Sequence, residues 1–496
     1  MTAQLTQPAT YDQSLWAKGY RSLKEEFDYA ITDIEGSIPP DLSGTLFRNG
    51  PGTLDVNGTN IHHPFDGDGM ICSIAFQDGQ AHFKNRHIRT AGYVAEQKAG
   101  KILYRGVFGT ARPGGWAANL FDTQLKNIAN TQVIYWGGKL LALWEAAEPH
   151  ALNPATLETL GLDRLDNQIA PGSAFAAHPW IDPSAASTGG APCLFNFGIQ
   201  SGLSFTLKLY ELDLSGKVVQ EQSHPLPGFA FIHDCAITPR YALFFQNPVR
   251  FNPLPFLFGL KGAGECIAFR PNEPTRILMF PRDGKAKPIT VEAQSGFVFH
   301  HANAFEEGEF VVIDSIAYAD LPSVEPGTDF RDTDFSKGFP GQLWRFRINL
   351  ATGTVEKQLL LDRCCEFPVV HPALVGRPYR YTYTGVAAMA GNAPLQGIAK
   401  VDVTKGETLT WLAGPNGYIN EPTFIPRKGI GAGNCYTEVV GDEDDGWVLT
   451  MIYDGARDQS AIVVLDARDL TQLARLNLKH HVPFGLHGTF TPQVFA

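Results

Sequence analysis

From about residue 70 onward the chain carries short apolar or alternating runs, most of them bounded by Gly, Asp, Asn or Pro. They fall at 70–77, 132–136, 140–144, 206–212, 241–245, 310–316, 343–348, 447–453 and 461–465. A period of two over such lengths predicts β-strands that bury one or both faces. A further short strand is expected at 45–48, inside a stretch whose Gly and Pro spacing demands turns. Helical windows are few, the better ones near the N-terminus and around 115–126. Residues 1–35 are polar and read as an arm, which Leu15, Trp16 and Tyr20 would staple to the body. No sharp linker or low-complexity tract follows, so 36–496 reads as one all-β domain. Some 450 β-rich residues are too many for a sandwich. At roughly 40–60 residues per four-stranded blade they suit a β-propeller of about seven to eight blades.

One stretch organises the rest: Gly-Phe-Val-Phe-His-His-Ala-Asn-Ala-Phe-Glu-Glu at 296–307. It opens as an apolar strand and delivers His300 and His301. Neighbouring strand side chains point to opposite faces, so one of the two histidines can face a given pocket and the other cannot.

Composition narrows the function. A 44% hydrophobic content supports a large core, and 33 Phe imply an aromatic core or an apolar cavity. A net charge of −11 without a Lys/Arg block excludes a nucleic-acid binder, which needs a basic stripe. The seven cysteines are odd in number and contain no CxxC pair, which predicts reduced cytosolic thiols. The N-terminus lacks the basic and apolar regions of a signal peptide. No apolar run nears the ~20 residues that span a bilayer. Asp66-Gly-Asp-Gly69 resembles part of a calcium loop but lacks the remaining ligand spacing, and reads as a turn.

Four of the 14 histidines share a small or apolar approach and a place at an expected strand end: His178, His233, His300 and His487. The first two intervals between them are near one blade length and the third near three. Inner strands of a propeller converge on its axis, where residues one blade apart meet. Four imidazoles on an octahedral ion would leave two open positions, as oxygen chemistry requires, and iron accepts such ligands. Satisfied core histidines are the competing reading. Ligating histidines need an acceptor at the other ring nitrogen, and Glu145, Glu366 and Glu421 lie in apolar or turn-rich surroundings suited to that role, or else at water-facing strand ends.

Ordered motifs along nearly the whole chain then resemble the carotenoid cleavage oxygenases: Asp-Leu-Ser-Gly-Thr-Leu-Phe-Arg-Asn-Gly-Pro-Gly, His-Pro-Phe-Asp-Gly-Asp-Gly-Met, Leu-Trp-Glu, Ala-His-Pro, Phe-Ile-His-Asp, Phe-His-His-Ala-Asn-Ala-Phe-Glu-Glu, Cys-Cys-Glu-Phe-Pro, Gly-Tyr-Ile-Asn-Glu-Pro and Leu-His-Gly. The resemblance implies a seven-bladed propeller with a loop and helix cap over the active-site face. It implies Fe(II) on His178, His233, His300 and His487, with Glu145, Glu366 and Glu421 orienting His233, His300 and His487 in some pairing. It leaves His301 structural and places Thr131 by the open face of the iron. The implied reaction uses dioxygen to cleave the central 15,15′ double bond of an apocarotenoid such as 8′-apo-β-carotenal into retinal and a dialdehyde.

A polyene substrate needs an apolar tunnel, for which Phe65, Trp144, Phe231, Phe299 and Tyr318 are the candidate lining. The segment from Phe251 to Leu260 keeps its apolar side chains despite two prolines, and reads as a peripheral membrane contact, joined by 115–121, on a cytoplasmic protein; a buried loop is the alternative. No obligate protein partner is implied. The competing functions are a stilbene-cleaving oxygenase of the same family, a calcium-dependent propeller hydrolase and a non-catalytic binding propeller.

Overall fold

The computed structural model describes residues 11–201, 204–322 and 328–496. Seven sheets of antiparallel strands form a seven-bladed β-propeller. The innermost strands, in chain order, are Gln132–Trp136, Trp180–Asp182, Ala236–Ile237, Phe297–Glu307, Cys365–Val370, Thr423–Pro426 and Gly488–Thr491. We number the blades 1 to 7 in that order. Blade 7 joins the two ends of the chain: Gly488–Thr491 pairs with Gly44–Thr53, which pairs with Asp68–Gln77. Closure of the ring therefore rests on backbone hydrogen bonds between strands more than 400 residues apart.

All nine expected strands from 70 onward are present, most extended by a residue or two. The apolar faces they were read from meet between blades. Phe197, Phe244, Ile316 and Val386 belong to one such buried cluster, and Ile74, Phe83, Trp447 and Ile462 to another. The strand expected at 45–48 runs further, over Gly44–Thr53, and is buried along its whole length.

Residues 28–35, expected in the arm, supply outer strands, the second of which ends at Gly36. Asp28–Ala30 pairs with blade 7 and Asp33–Gly36 with blade 6. Ahead of them, Trp16 is buried against Tyr20, Phe335 and Phe484, and the Tyr418 hydroxyl donates to the Asp12 carbonyl. Helices occur at Gln13–Ala17 and Gly115–Asn119, where helix was expected, and also at Ala91–Ala99 and Pro253–Leu257, where it was not; the prolines of the last lie in its first turn, where no intrahelical N–H bond is lost. In Asp66-Gly-Asp-Gly69, Asp66 closes the 3-10 turn Pro64–Asp66, Gly67 caps it, and Asp68 and Gly69 already open the strand Asp68–Gln77. The second glycine is required, because a Cβ at Gly69 would lie 2.4 Å from the Ala129 carbonyl oxygen.

Candidate metal centre

The inner strands deliver the four histidines to the axis. His178 lies just before the inner strand of blade 2, His233 just before that of blade 3, and His487 immediately before that of blade 7. His300 departs from the expected strand-end position. It lies inside Phe297–Glu307, where the ladder register shifts on either side of His301. The irregularity turns His300 toward the axis, while His301 points into the blade and bonds through Nδ1 to the Ser315 hydroxyl, 2.8 Å away.

One ring nitrogen from each of His178, His233, His300 and His487 lies within 4.8 Å of the same atom in the others. The Nε2 atoms of His178 and His233 are 2.9 Å apart, and those of His233 and His300 are 3.1 Å apart. The opposite nitrogens face carboxylates. His300 Nδ1 lies 2.6 Å from Glu366 Oε2, His487 Nδ1 lies 2.8 Å from Glu421 Oε1, and His233 Nδ1 contacts Glu145 Oε1. In the neutral ring a carboxylate at Nδ1 fixes the proton there, which leaves the Nε2 of His233, His300 and His487 a lone pair for a metal; despite burial, Glu366 also holds His300 above the ordinary histidine range. Lone pairs at 3.1 Å repel unless a cation lies between them. Two imidazole nitrogens about 2.1 Å from one ion and at right angles to it would be about 3.0 Å apart. The donor set thus fits a divalent metal with near-octahedral angles better than a tetrahedral one.

Burial sets the electrostatics. It pushes the charged form of His178 far out of reach and holds His487 down to about 4. Burial also opposes ionisation of Glu366 and Glu421. For Glu366 this is outweighed by His300, the Tyr318 hydroxyl and the Phe367 N–H; for Glu421 by His487, Arg48 and the Gly488 N–H. Both carboxyls consequently sit below the ordinary range. Asp234, also buried nearby, is pushed up to about 6. It accepts from the Cys235 and His301 N–H groups and from Trp180 Nε1, and bonds to none of the four imidazoles.

Thr131 is buried beside the centre. Its carbonyl accepts from the His487 N–H at 3.1 Å, and its hydroxyl donates to Asn130 Oδ1. Among the tunnel candidates, Phe299 packs on His233, His300, Phe297 and Tyr318. Phe231 reaches this group through Phe297. Phe65 stacks edge-on with Phe108, and its carbonyl accepts from Asn130 Nδ2. Trp144 precedes Glu145 and lines a small cavity whose walls mix Ile61 and Ile128 with the charged Asp66, Asp68, Glu96 and Lys126. Tyr318 packs on Phe299, and its hydroxyl donates to Glu366 Oε1 at 2.7 Å.

Two residues at the centre escaped the sequence reading. Arg48 binds Glu421, and its one signal was a lone charge in a buried strand. Phe367 packs on both His300 and His487 from a left-handed backbone at φ 60°, which nothing in the sequence announces.

A seven-bladed propeller with four axial histidines, three of them bonded to glutamates, defines a class of protein whose axis could hold one metal ion. Residues 20–492 match the retinal pigment epithelial membrane protein family model. The chain belongs to this family, which is that of the carotenoid oxygenases. It is 54% identical to the apocarotenoid-15,15′-oxygenase of Synechocystis sp., covering 97% of each protein. It is 28% identical to resveratrol cleavage oxygenase 1 of Botryotinia fuckeliana, over 94% of this chain and 83% of that one. The crystal structure of cobalt-substituted Synechocystis apocarotenoid oxygenase superposes with a TM-score of 0.93 at 52% identity, covering 97% of this chain and 99% of that one.

Proposed function

We propose that this chain is a non-haem Fe(II) dioxygenase that cleaves the 15,15′ double bond of an apocarotenoid such as 8′-apo-β-carotenal to retinal and a dialdehyde. One oxygen atom of dioxygen ends in each new carbonyl, so no protein nucleophile or proton carrier is needed. The observation that carries this reading is the convergence of bare imidazole lone pairs on the propeller axis, in a chain 54% identical to an apocarotenoid-15,15′-oxygenase. Bound iron supplies open positions for dioxygen beside the polyene. The chain does the rest. His178, His233, His300 and His487 hold the ion, and Glu145, Glu366 and Glu421 fix the tautomer and aim of three of them. Phe299, Phe231 and Tyr318 form an apolar wall that excludes water and grips a flat substrate, with Phe65 and Trp144 continuing it. Thr131 narrows the open face; with its hydroxyl committed to Asn130, the methyl group is left for that purpose.

Substrate arrival is proposed at the segment 251–260. Leu254, Phe258 and Leu260 are exposed there, beside Trp116 and Phe121, which is 66% exposed. The buried Arg105 ties the two segments together by donating to the carbonyls of Asp122, Phe256 and Lys261. An apolar patch on a rigid base suits shallow insertion into one leaflet. No helix among the described residues is long and apolar enough to cross a membrane. All seven cysteines are unpaired, which supports a reducing, cytoplasmic setting.

A phenolic stilbene would want polar partners such as a Tyr and a Lys at the tunnel end, and the one phenol among the candidate lining, Tyr318, already gives its proton to Glu366. A calcium site would want oxygen ligands where the axis presents nitrogens. The test is anaerobically purified protein, assayed for iron, for dioxygen uptake with 8′-apo-β-carotenal and for retinal. Near-stoichiometric iron that is lost in His233→Ala, with retinal formed, is expected. Absence of iron, or turnover of a resveratrol-type stilbene in place of the apocarotenal, would overturn it.

A further inference from the structure

The three carboxylates behind the histidines are not equivalent. Glu145 bonds to His233 and is partly open to solvent. Glu366 is mostly buried, with its side chain 15% exposed, and receives two neutral donors, the Tyr318 hydroxyl and the Phe367 N–H. Glu421 alone meets a cation: Arg48 Nη1 donates to its Oε2 at 2.6 Å, with the two side chains 4% and 11% exposed. Among the described residues no other Lys or Arg bonds to any of the three.

Arg48 also grips the backbone on both sides of the fourth ligand's contacts. Its Nη2 donates to the Leu486 carbonyl at 2.8 Å, one residue before His487, and its Nη1 reaches the Glu421 carbonyl at 3.4 Å. The next residue, Asn49, donates its N–H to the His487 carbonyl and accepts from the Leu486 N–H. A single strand of blade 7 thereby fixes the carboxylate from the blade 6 segment against the imidazole that enters blade 7.

We propose that Arg48 is a positioning and charge-tuning residue for the metal centre, acting on His487 through Glu421. This rests on the metal reading above. The three carboxylates behind the histidines and the one guanidinium together carry two negative charges, opposite in sign to a divalent ion. A guanidinium on Glu421 draws electron density away from His487. That imidazole becomes a poorer donor than His233 and His300, whose carboxylates have no cation. The added positive charge disfavours the ferric ion, which carries one more charge than the ferrous, and so protects the reduced state that must meet dioxygen. In so buried a place the effect is little screened.

The test is the ferric-to-ferrous ratio at fixed applied potential, read by electron paramagnetic resonance on iron-loaded protein beside its iron content. Arg48→Gln should raise the ratio tenfold or more, which is about 59 mV or more for a one-electron couple. Arg48→Lys, which keeps the charge, should stay within threefold of wild type. Glu421→Gln exposes the arginine charge and should lower the ratio tenfold, giving a second reading of opposite sign if Arg48→Gln does not fold. The double variant should return near wild type. Loaded variants with an unchanged ratio, or Arg48→Lys matching Arg48→Gln, would overturn the role of Arg48. Wild-type protein that takes up no metal would instead overturn the metal reading itself.

Discussion

Replacing Glu366 by Gln isolates one electrostatic contribution to the centre. Glu366 Oε2 accepts from His300 Nδ1 at 2.6 Å and from the Phe367 N–H at 2.8 Å, while Oε1 accepts from the Tyr318 hydroxyl at 2.7 Å. A glutamine in the same rotamer keeps its oxygen toward His300 and Phe367 and turns its NH2 toward Tyr318, whose oxygen then accepts. Hydrogen-bond number and side-chain volume survive; only the negative charge is lost. Removing the partner of a ligating histidine typically weakens metal binding 10- to 100-fold, which is about 1.4–2.7 kcal/mol. Anaerobic competition with a chelator of known affinity should show that loss, with the thermal midpoint of the metal-free protein little changed. Tyr318→Phe leaves Oε1 without a donor but spares the charge, so its loss should stay below tenfold. Glu366→Ala orphans the buried His300 Nδ1–H and should exceed both. A folded Glu366→Gln protein binding metal within threefold of wild type would refute the view that the carboxylate charge strengthens His300.

The exposed apolar patch at 251–260, proposed above to meet a leaflet, gives a second expectation. Fully burying a large apolar side chain is worth about 1.5–3 kcal/mol, so changing Leu254, Phe258 and Leu260 to Ser should lower liposome partitioning more than tenfold with iron content intact; unchanged co-sedimentation would refute it. Acid stability gives a third. Burial pushes His371 down to about 4, and its Nδ1 accepts from the Ala373 N–H, so the folded state holds it neutral. The unfolded chain takes up this proton near 6.5, so stability falls as pH drops from there toward about 4. The loss is about 2 kcal/mol by pH 5. Asn at this position keeps a cap acceptor and removes the titration, so His371→Asn should lose less between pH 7 and 5 in urea unfolding; equal losses in variant and wild type would refute the assignment.

Local chemistry was legible in the sequence. The period-two runs mark the strands because alternation is a property of the strand itself, and 132–136 is recovered to the residue. Histidines at blade-length intervals could be grouped because propeller inner strands share one axis. The helix Ala91–Ala99 was missed although its ends are marked in the sequence: Thr90 caps its N-terminus by accepting from the Tyr93 N–H, and Gly100 ends it in the left-handed conformation. Capping residues were the available signal there, since its apolar face is weak.

Tertiary structure alone decided the rest. Which glutamate serves which histidine depends on which blades adjoin. Glu366 meets His300 from the next blade, and Glu421 meets His487 across the junction of blades 6 and 7. Arg48 lies 373 residues from Glu421 in the chain. Tyr318 reads as an ordinary strand aromatic until its hydroxyl is seen on Glu366. In 251–260 the sequence shows one apolar run, whereas the fold buries Phe256 on Arg105 and exposes Leu254 and Leu260. The physical reason is common to all of these. Periodicity, capping and turn chemistry act between near neighbours in the chain, whereas a buried charge finds its partner, and an apolar side chain its cover, only when the seven blades close and bring distant strands within hydrogen-bonding range.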